Sequence, residues 1–117
     1  MVGSIGVVAR LDNTDRAERN EGNDPIIIRS SELKAIGAGG PVTPSQTQEL
    51  QRMVMGLFAM FKANVSAGRP GLDMDAISTG QTWFGKSHNS EPSAIDMGLV
   101  DNLSTLAKLI AACGQTN

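Results

Sequence analysis

One lysine of this sequence has neighbours that could change its chemistry. Lys34 follows Leu33 and precedes Ala35-Ile36, and residues 37–40 are three glycines and an alanine that allow close backbone approach. A free lysine amine is protonated at neutral pH, and a lysine acts as a base when burial lowers its pKa toward ~7–8. A lysine in a glycine-rich loop is usually an exposed surface residue. The residues alone leave both interpretations open.

A second polar cluster surrounds the single histidine, His88. His88 lies near Glu91 and Asp96, but a metal site would need a second histidine or paired cysteines. Ser87, His88 and Asp96 are the residue types of a catalytic triad, yet nothing around them supplies an oxyanion hole. Residues 37–40 are not followed by the Gly-Lys-Ser/Thr of a phosphate-binding loop. We therefore predict neither a metal nor another cofactor.

Composition excludes several classes of protein. The 117 residues make one domain or part of one, and a net charge of -2 gives no electrostatic reason to bind nucleic acid. Cys113 is the only cysteine, so no internal disulfide is possible, which fits a reducing compartment. No apolar run approaches the ~20 residues that span a bilayer.

The amino-terminal half reads as two strands with a crossover between them. Residues 4–10 are apolar and β-branched, and residues 25–29 contain three consecutive isoleucines, which is typical of a strand buried on both faces of a parallel sheet. Residues 11–24 are almost wholly polar and form either a short exposed helix ending near Gly22 or a mobile loop. Together these segments predict a βαβ unit.

A long helix follows the glycine-rich loop. Thr43 is a helix cap, Pro44 suits the first helical position, and Gln46 completes a capping box. Apolar residues then recur at three- and four-residue steps, which predicts a helix to about Ala67. Residues 72–79 carry a short apolar pattern. Three shorter elements are predicted after it: a strand over residues 82–84, a helix over residues 94–97 capped by Ser93, and an amphipathic helix ending at Gly114.

Four segments, in this order, resemble the second half of a known enzyme family. They are Gly3-Ser4-Ile5-Gly6-Val7, Ser30-Ser31-Glu32-Leu33-Lys34, the helix from Thr43-Pro44 to Arg69, and Ala94 to Gly98-Leu99-Val100-Asp101. The set is similar to Ser/Lys peptidases of the protease IV and signal peptide peptidase A type, which include phage capsid-maturation peptidases. The resemblance implies a partial crotonase/Clp-protease-like α/β domain, with short parallel strands, one long helix and two or three short helices. Residues 1–117 would be a single incomplete domain, the C-terminal part of the peptidase domain.

The same resemblance assigns roles to two residues. Lys34 would be the general base and Ser4 the hydroxyl that orients its amine. The nucleophilic serine of the family precedes the Gly-Ser-Ile-Gly stretch, and no serine of this chain has its Ala-Ser-Gly-Gly-like context. Ser31 stands where the family usually has glycine, and residues 85–94 are longer than the family's Gly-x-x-Ala. The chain alone is expected to be inactive.

The implied parent reaction is hydrolysis of peptide bonds through an acyl-enzyme, in signal-peptide processing or in phage capsid and scaffold processing. Family members form rings, and an unpaired strand edge recruits partners, so we expect self-association into a ring or a swapped oligomer. The alternative is a non-enzymatic oligomerisation or scaffold module. A prophage-like protein would be cytoplasmic; a missing N-terminal segment would instead attach the protein to a membrane.

Overall fold

The computed structural model describes residues 1–115. Along the chain, this part contains β1 (Val2–Gly3), α1 (Asp15–Asn20), α2 (Pro44–Gly68), α3 (Met74–Ile77), β2 (Thr82–Trp83) and α4 (Leu106–Cys113). The chain divides into two compact units. The first consists of Met1–Gly6 with the chain from Lys62 onward, and the second is Val7–Phe61.

The predicted start of the long helix is confirmed. The Gln46 amide N–H donates to Thr43 Oγ1 at 3.3 Å, and the Thr43 N–H donates to Gln46 Oε1 at 3.2 Å. These reciprocal bonds satisfy two amide groups that a helix start leaves without partners. α2 ends at Gly68, one residue beyond the predicted end.

The predicted parallel sheet is wrong. The sheet is a two-stranded antiparallel ladder in which Val2 pairs with Trp83. The three-isoleucine segment of residues 25–29 forms no strand, and its Ile26 and Ile28 side chains are 86% and 93% exposed. A run of apolar residues indicates that the segment should be buried, but it does not indicate which element covers it. Among residues 1–115 no strand lies beside it.

The predicted strand over residues 4–10 is also wrong, since none of these residues lies in a strand and β1 is confined to Val2–Gly3. Regular pairing ends at Gly3, because Ser4 adopts a positive φ of 57° that takes the backbone out of the extended region. Two further bonds continue alongside β2: the Ser4 N–H donates to Gln81 O at 2.7 Å, and the Gly80 N–H donates to Ile5 O at 3.1 Å.

The buried apolar core lies in the first unit. Ile77, at the end of α3, is fully buried, and Val65 from α2 packs against the same cluster. The other buried apolar members are Ile5, Trp83, Ala94 and Leu99. Within residues 7–61, by contrast, the one buried side chain is the polar Gln46. The second unit therefore has no fully buried apolar core among its residues.

The shorter elements agree with most of the sequence predictions. α1 is a short helix with no buried residue, and α4 ends at Cys113, just before Gly114. Residues 94–97 form hydrogen-bonded turns instead of the predicted α-helix, although the Asp96 N–H donates to Ser93 Oγ at 3.1 Å as a cap would require. None of the helices described is long and apolar enough to cross a membrane.

Candidate functional site

Ser4 is presented to solvent by a constrained backbone. Its neighbour Ile5 is 7% exposed and belongs to the core, whereas Ser4 itself is exposed. A Cβ on Gly3, whose φ is 130°, would lie 2.4 Å from Gln81 O, so only glycine fits there. In the part of the chain that the structure describes, Ser4 Oγ makes no hydrogen bond. The hydroxyl is therefore held on a fixed backbone and is available to a partner.

Lys34 lies in a series of turns within residues 30–42, the segment that precedes α2. We call residues 30–42 the Lys34 loop. The Lys34 N–H donates to Ser31 O at 3.1 Å, and the next residue, Ala35, has a φ of 57°. Non-glycine residues in this conformation are uncommon and are concentrated at functional sites. Ser31 is not among the residues with positive φ, so serine replaces the family's usual glycine there without strain.

The Lys34 side chain itself is exposed, and within residues 1–115 its amine forms no ion pair or hydrogen bond. The burial that the flanking apolar residues suggested is absent, since Leu33 is 45% exposed. Ser4 belongs to the first unit and Lys34 to the second.

One arginine holds the backbone of the Lys34 loop. Arg29 Nη1 donates to Lys34 O at 3.4 Å, and Arg29 Nη2 donates to Gly39 O at 3.0 Å. A planar guanidinium can hold two carbonyls at once, which a lysine amine cannot do with the same fixed geometry. Arg29 thus joins the lysine position to the glycine-rich end of the loop.

Glu32 attaches the same loop to the start of α2. Its carboxylate accepts hydrogen bonds from Ser45 Oγ and from Thr43 Oγ1, the latter at 2.6 Å, and its backbone carbonyl accepts from Gln46 Nε2 at 2.7 Å. The hydroxyl of Ser45, followed by that of Thr43, lowers the pKa of the Glu32 carboxyl below its usual value of 4.5. Hydrogen bonds that favour the charged form have this effect.

We expect the attachment through Glu32 to weaken in acid. Because the folded state lowers this pKa, the stabilisation is present above the unfolded value of about 4.5 and is lost as the pH falls through the folded pKa. The Glu32→Gln variant should therefore lose stability relative to wild type near neutral pH, and the difference should shrink below that value. Urea midpoints measured across this pH range test the prediction. Glu21→Gln, on the surface of the same unit, is the control; an unchanged difference at every pH would contradict the assignment.

Beside this attachment lies an open cleft of about 310 Å³ in the second unit. Its lining combines two arginines, one glutamate and apolar side chains, namely Arg19, Pro25, Ile27, Arg29, Glu32, Gly39, Gly40, Pro41, Thr43 and Gln46. Arg19 is already paired with Asp15 and Asp24. Lys34 does not line the cleft, so the cleft and the lysine amine are distinct features of the loop.

The Gly-Leu-Val-Asp segment has a structural role in the first unit. Arg69, just after α2, donates to Gly98 O and to the Asp101 carboxylate, both at 2.7 Å, and Leu99 between them is buried. The segment thereby closes the end of α2 onto the core. Arg69 ends the third of the segments that carry the resemblance, but nothing in the sequence indicates its contacts with Gly98 and Asp101.

The longer segment at residues 86–93 is a tight hairpin. The Glu91 N–H donates to His88 O at 2.9 Å, and Asn89 and Ser90 both have positive φ, as a type I′ turn requires. His88 is exposed and makes an edge contact with Phe84, with ring centroids 6.2 Å apart. No group of three possible metal ligands occurs among the 115 residues described.

Two of the three residues considered for a triad, Ser87 and Asp96, bind each other within a cap that does not include His88. The Asp96 carboxylate accepts from the Ser93 amide at 2.8 Å, from Ser93 Oγ at 2.7 Å and from Ser87 Oγ at 3.1 Å. These bonds, the Ser93 amide first, lower the pKa of the Asp96 carboxyl. A carboxylate that accepts three hydrogen bonds within one turn stabilises that turn, so the role of Asp96 is structural.

Comparison with known proteins gives one consistent result. The sequence matches peptidase family S49 over residues 1–116. It is 36% identical over 111 residues to the probable protease SohB of Haemophilus influenzae, covering 94% of this chain and 30% of that protein. It is 28% identical over 106 residues to the probable protease SohB of Buchnera aphidicola subsp. Schlechtendalia chinensis, covering 90% of this chain and 33% of that protein. The chain therefore spans about a third of the length of these curated relatives.

Proposed function

Because the chain belongs to peptidase family S49, we propose that it supplies the basic half of a Ser/Lys catalytic dyad. Lys34 is the general base and Ser4 is the hydroxyl that orients its amine. We also propose that the complete domain is crotonase/Clp-protease-like and that this chain is its C-terminal part. The names of the relatives support peptidase activity. The assignment of the dyad rests on the residues of this chain.

One observation carries the assignment. Lys34 and Ser4 are the two positions that the family motifs select, and each side chain is presented without a competing partner in residues 1–115. Ser4 and Ala35, the residue after Lys34, both have a positive φ of 57°. Such strained positions persist only where the surrounding structure over-determines them.

The chemistry follows from these two groups. A serine hydroxyl is a weak nucleophile and needs an adjacent base. The Lys34 amine takes the proton of the nucleophilic serine as that oxygen attacks the carbonyl carbon of the scissile peptide bond. The proton passes to the departing amine, which leaves an acyl-enzyme, and water then releases the acid by the same route. Ser4 Oγ holds the amine in the direction of the attacking oxygen.

The nucleophile, on this proposal, comes from polypeptide outside these 117 residues. A lysine base needs a desolvated setting, and Lys34 is exposed here. We propose that the segment that brings the nucleophile also covers Lys34. The proposed substrate is a peptide, and the proposed context is processing of signal peptides or of capsid and scaffold proteins.

Labelling with a serine-directed fluorophosphonate tests where the nucleophile lies. The 117-residue chain should show no stoichiometric labelling, because none of its serines has the activated context described above. A serine peptidase of known reactivity is the reagent control. Clean modification of one serine, with Ser4 the first to inspect by peptide mapping, would contradict the proposal that the nucleophile is supplied from elsewhere.

A non-enzymatic assembly module is the second candidate. Apolar side chains on α2 support it, since Met53, Met55, Leu57 and Met60 are all at least half exposed and large exposed apolar surfaces usually bind another protein. We propose self-association through such surfaces and a cytoplasmic location. Light scattering that shows a monomer at high concentration counts against self-association. A scaffold without peptidase chemistry would tolerate loss of Lys34, whereas the peptidase would not.

A further inference from the structure

Two side chains hold the backbone of the Lys34 loop at three points. Arg29 binds Lys34 O and Gly39 O, and Gln46 Nε2 binds Glu32 O. The three carbonyls lie before, at and after the lysine, so these contacts surround the position of the proposed base.

We propose that Arg29 and Gln46 are positioning residues for Lys34. This inference rests on the proposed function, since it matters to catalysis only if Lys34 is the base. Neither side chain touches the amine; both act through the backbone that carries it. A misplacement of about 1 Å of a catalytic group can reduce rates about a hundredfold, so a loop that bears a base needs such restraints.

Burial supports the role of Gln46. It is 3% exposed and is the one buried side chain of residues 7–61, and both ends of its amide are used. Its Oε1 accepts from the Thr43 N–H and its Nε2 donates to Glu32 O. A buried amide with both groups satisfied fixes the geometry of what it joins. Here it joins the start of a 25-residue helix to the Lys34 loop.

The half-buried Arg29 complements this anchor from the other side. Residues 7–61 contain no buried apolar side chain, and the apolar side chains beside Gly37 and Gly39, Leu11 and Ile27, are 39% and 38% exposed. The hydrogen bonds of Arg29, Glu32 and Gln46 add directional restraints to this limited apolar packing. The capping box marks Gln46 in the sequence, but its bond to Glu32 O and the bonds of Arg29 to the loop carbonyls leave no motif.

Two conservative variants test the proposal in the 117-residue chain. Arg29→Lys keeps the charge and loses the paired geometry, and Gln46→Glu keeps the acceptor for Thr43 while losing the donor to Glu32 O. Hydrogen exchange of the Lys34 and Ala38 amides, which donate to Ser31 O and Ala35 O, should become about two- to tenfold faster in each, the change expected from losing an ordinary hydrogen bond. Amides in the middle of α2 should not change.

The matched controls are Arg52→Lys and Gln51→Glu, both exposed on α2, and they should leave loop exchange unaltered. Unchanged loop exchange in Arg29→Lys would overturn the proposal. Gln46→Glu could also speed exchange of the α2 amides, because Gln46 lies in α2. In that case the Arg29→Lys result tests the proposal, because Arg29 lies outside any helix.

Kinetics separate this inference from the proposed function. In the assembled peptidase, Arg29→Lys should lower kcat about ten- to a hundredfold and leave KM within about twofold. Faster loop exchange with unchanged kcat would refute the positioning role. Full activity of a Lys34→Ala variant would refute the base itself, whatever the exchange data show.

Discussion

Replacing Lys34 by alanine should abolish most peptidase activity while leaving the fold intact. General base catalysis contributes about 10²–10⁴-fold, so kcat/KM should fall by that amount in the assembly that contains the nucleophilic serine. Because Lys34 is exposed and unpaired in residues 1–115, the urea midpoint should change little. Surface substitutions of this kind usually alter stability by less than about 0.5 kcal/mol.

Two further variants show whether it is the base or the charge of Lys34 that matters. Lys34→Arg keeps a positive charge, but a guanidinium does not give up its proton in proteins, so its activity should be as low as that of Lys34→Ala. Lys108→Ala, an exposed position on α4, is the control and should be fully active. Activity of Lys34→Arg close to wild type would show that the charge is sufficient and that Lys34 is no base.

The largest loss of stability is expected at Ile77. This side chain is fully buried at the centre of the core of the first unit. Truncation of a buried isoleucine to alanine costs about 2–5 kcal/mol, from lost burial and from the cavity left behind. Ile77→Val should cost less, about 0.5–1.5 kcal/mol, because it removes a single methylene.

Urea unfolding followed by Trp83 fluorescence measures both effects, since Trp83 belongs to the same cluster. Ile110→Ala, at an exposed position on α4, is the matched control and should change the midpoint little. Equal midpoints for Ile77→Ala and Ile110→Ala would mean that Ile77 does not lie in a packed core.

Local signals in the sequence predicted local structure well. The capping box of Thr43 and Gln46 and the end of α2 near Ala67 depend on residues close together in the chain. The pairing of Val2 with Trp83 joins residues far apart in the chain, and no local pattern encodes it. The isoleucine run at residues 25–29 shows the same limit: its composition indicates burial but does not identify a partner.

The same contrast between local and long-range contacts applies to the candidate site. Residue type and family motif single out Lys34 and Ser4, and Lys34 lies in a loop as the sequence predicts, although its side chain is exposed. Arg29 and Glu32, which hold that loop, did not stand out, because their contacts are side chain to backbone bonds or bonds to hydroxyls on another element. Such contacts form between segments that only the folded chain brings together, so local sequence does not predict them.

Chemical rescue of Lys34→Ala tests the central claim most directly. If Lys34 is the general base, small primary amines added to the assembled Lys34→Ala peptidase should restore hydrolysis, and the rescue should increase with the concentration of the uncharged amine. Lys108→Ala should show no amine dependence. Wild-type activity of Lys34→Ala without any amine would contradict the account.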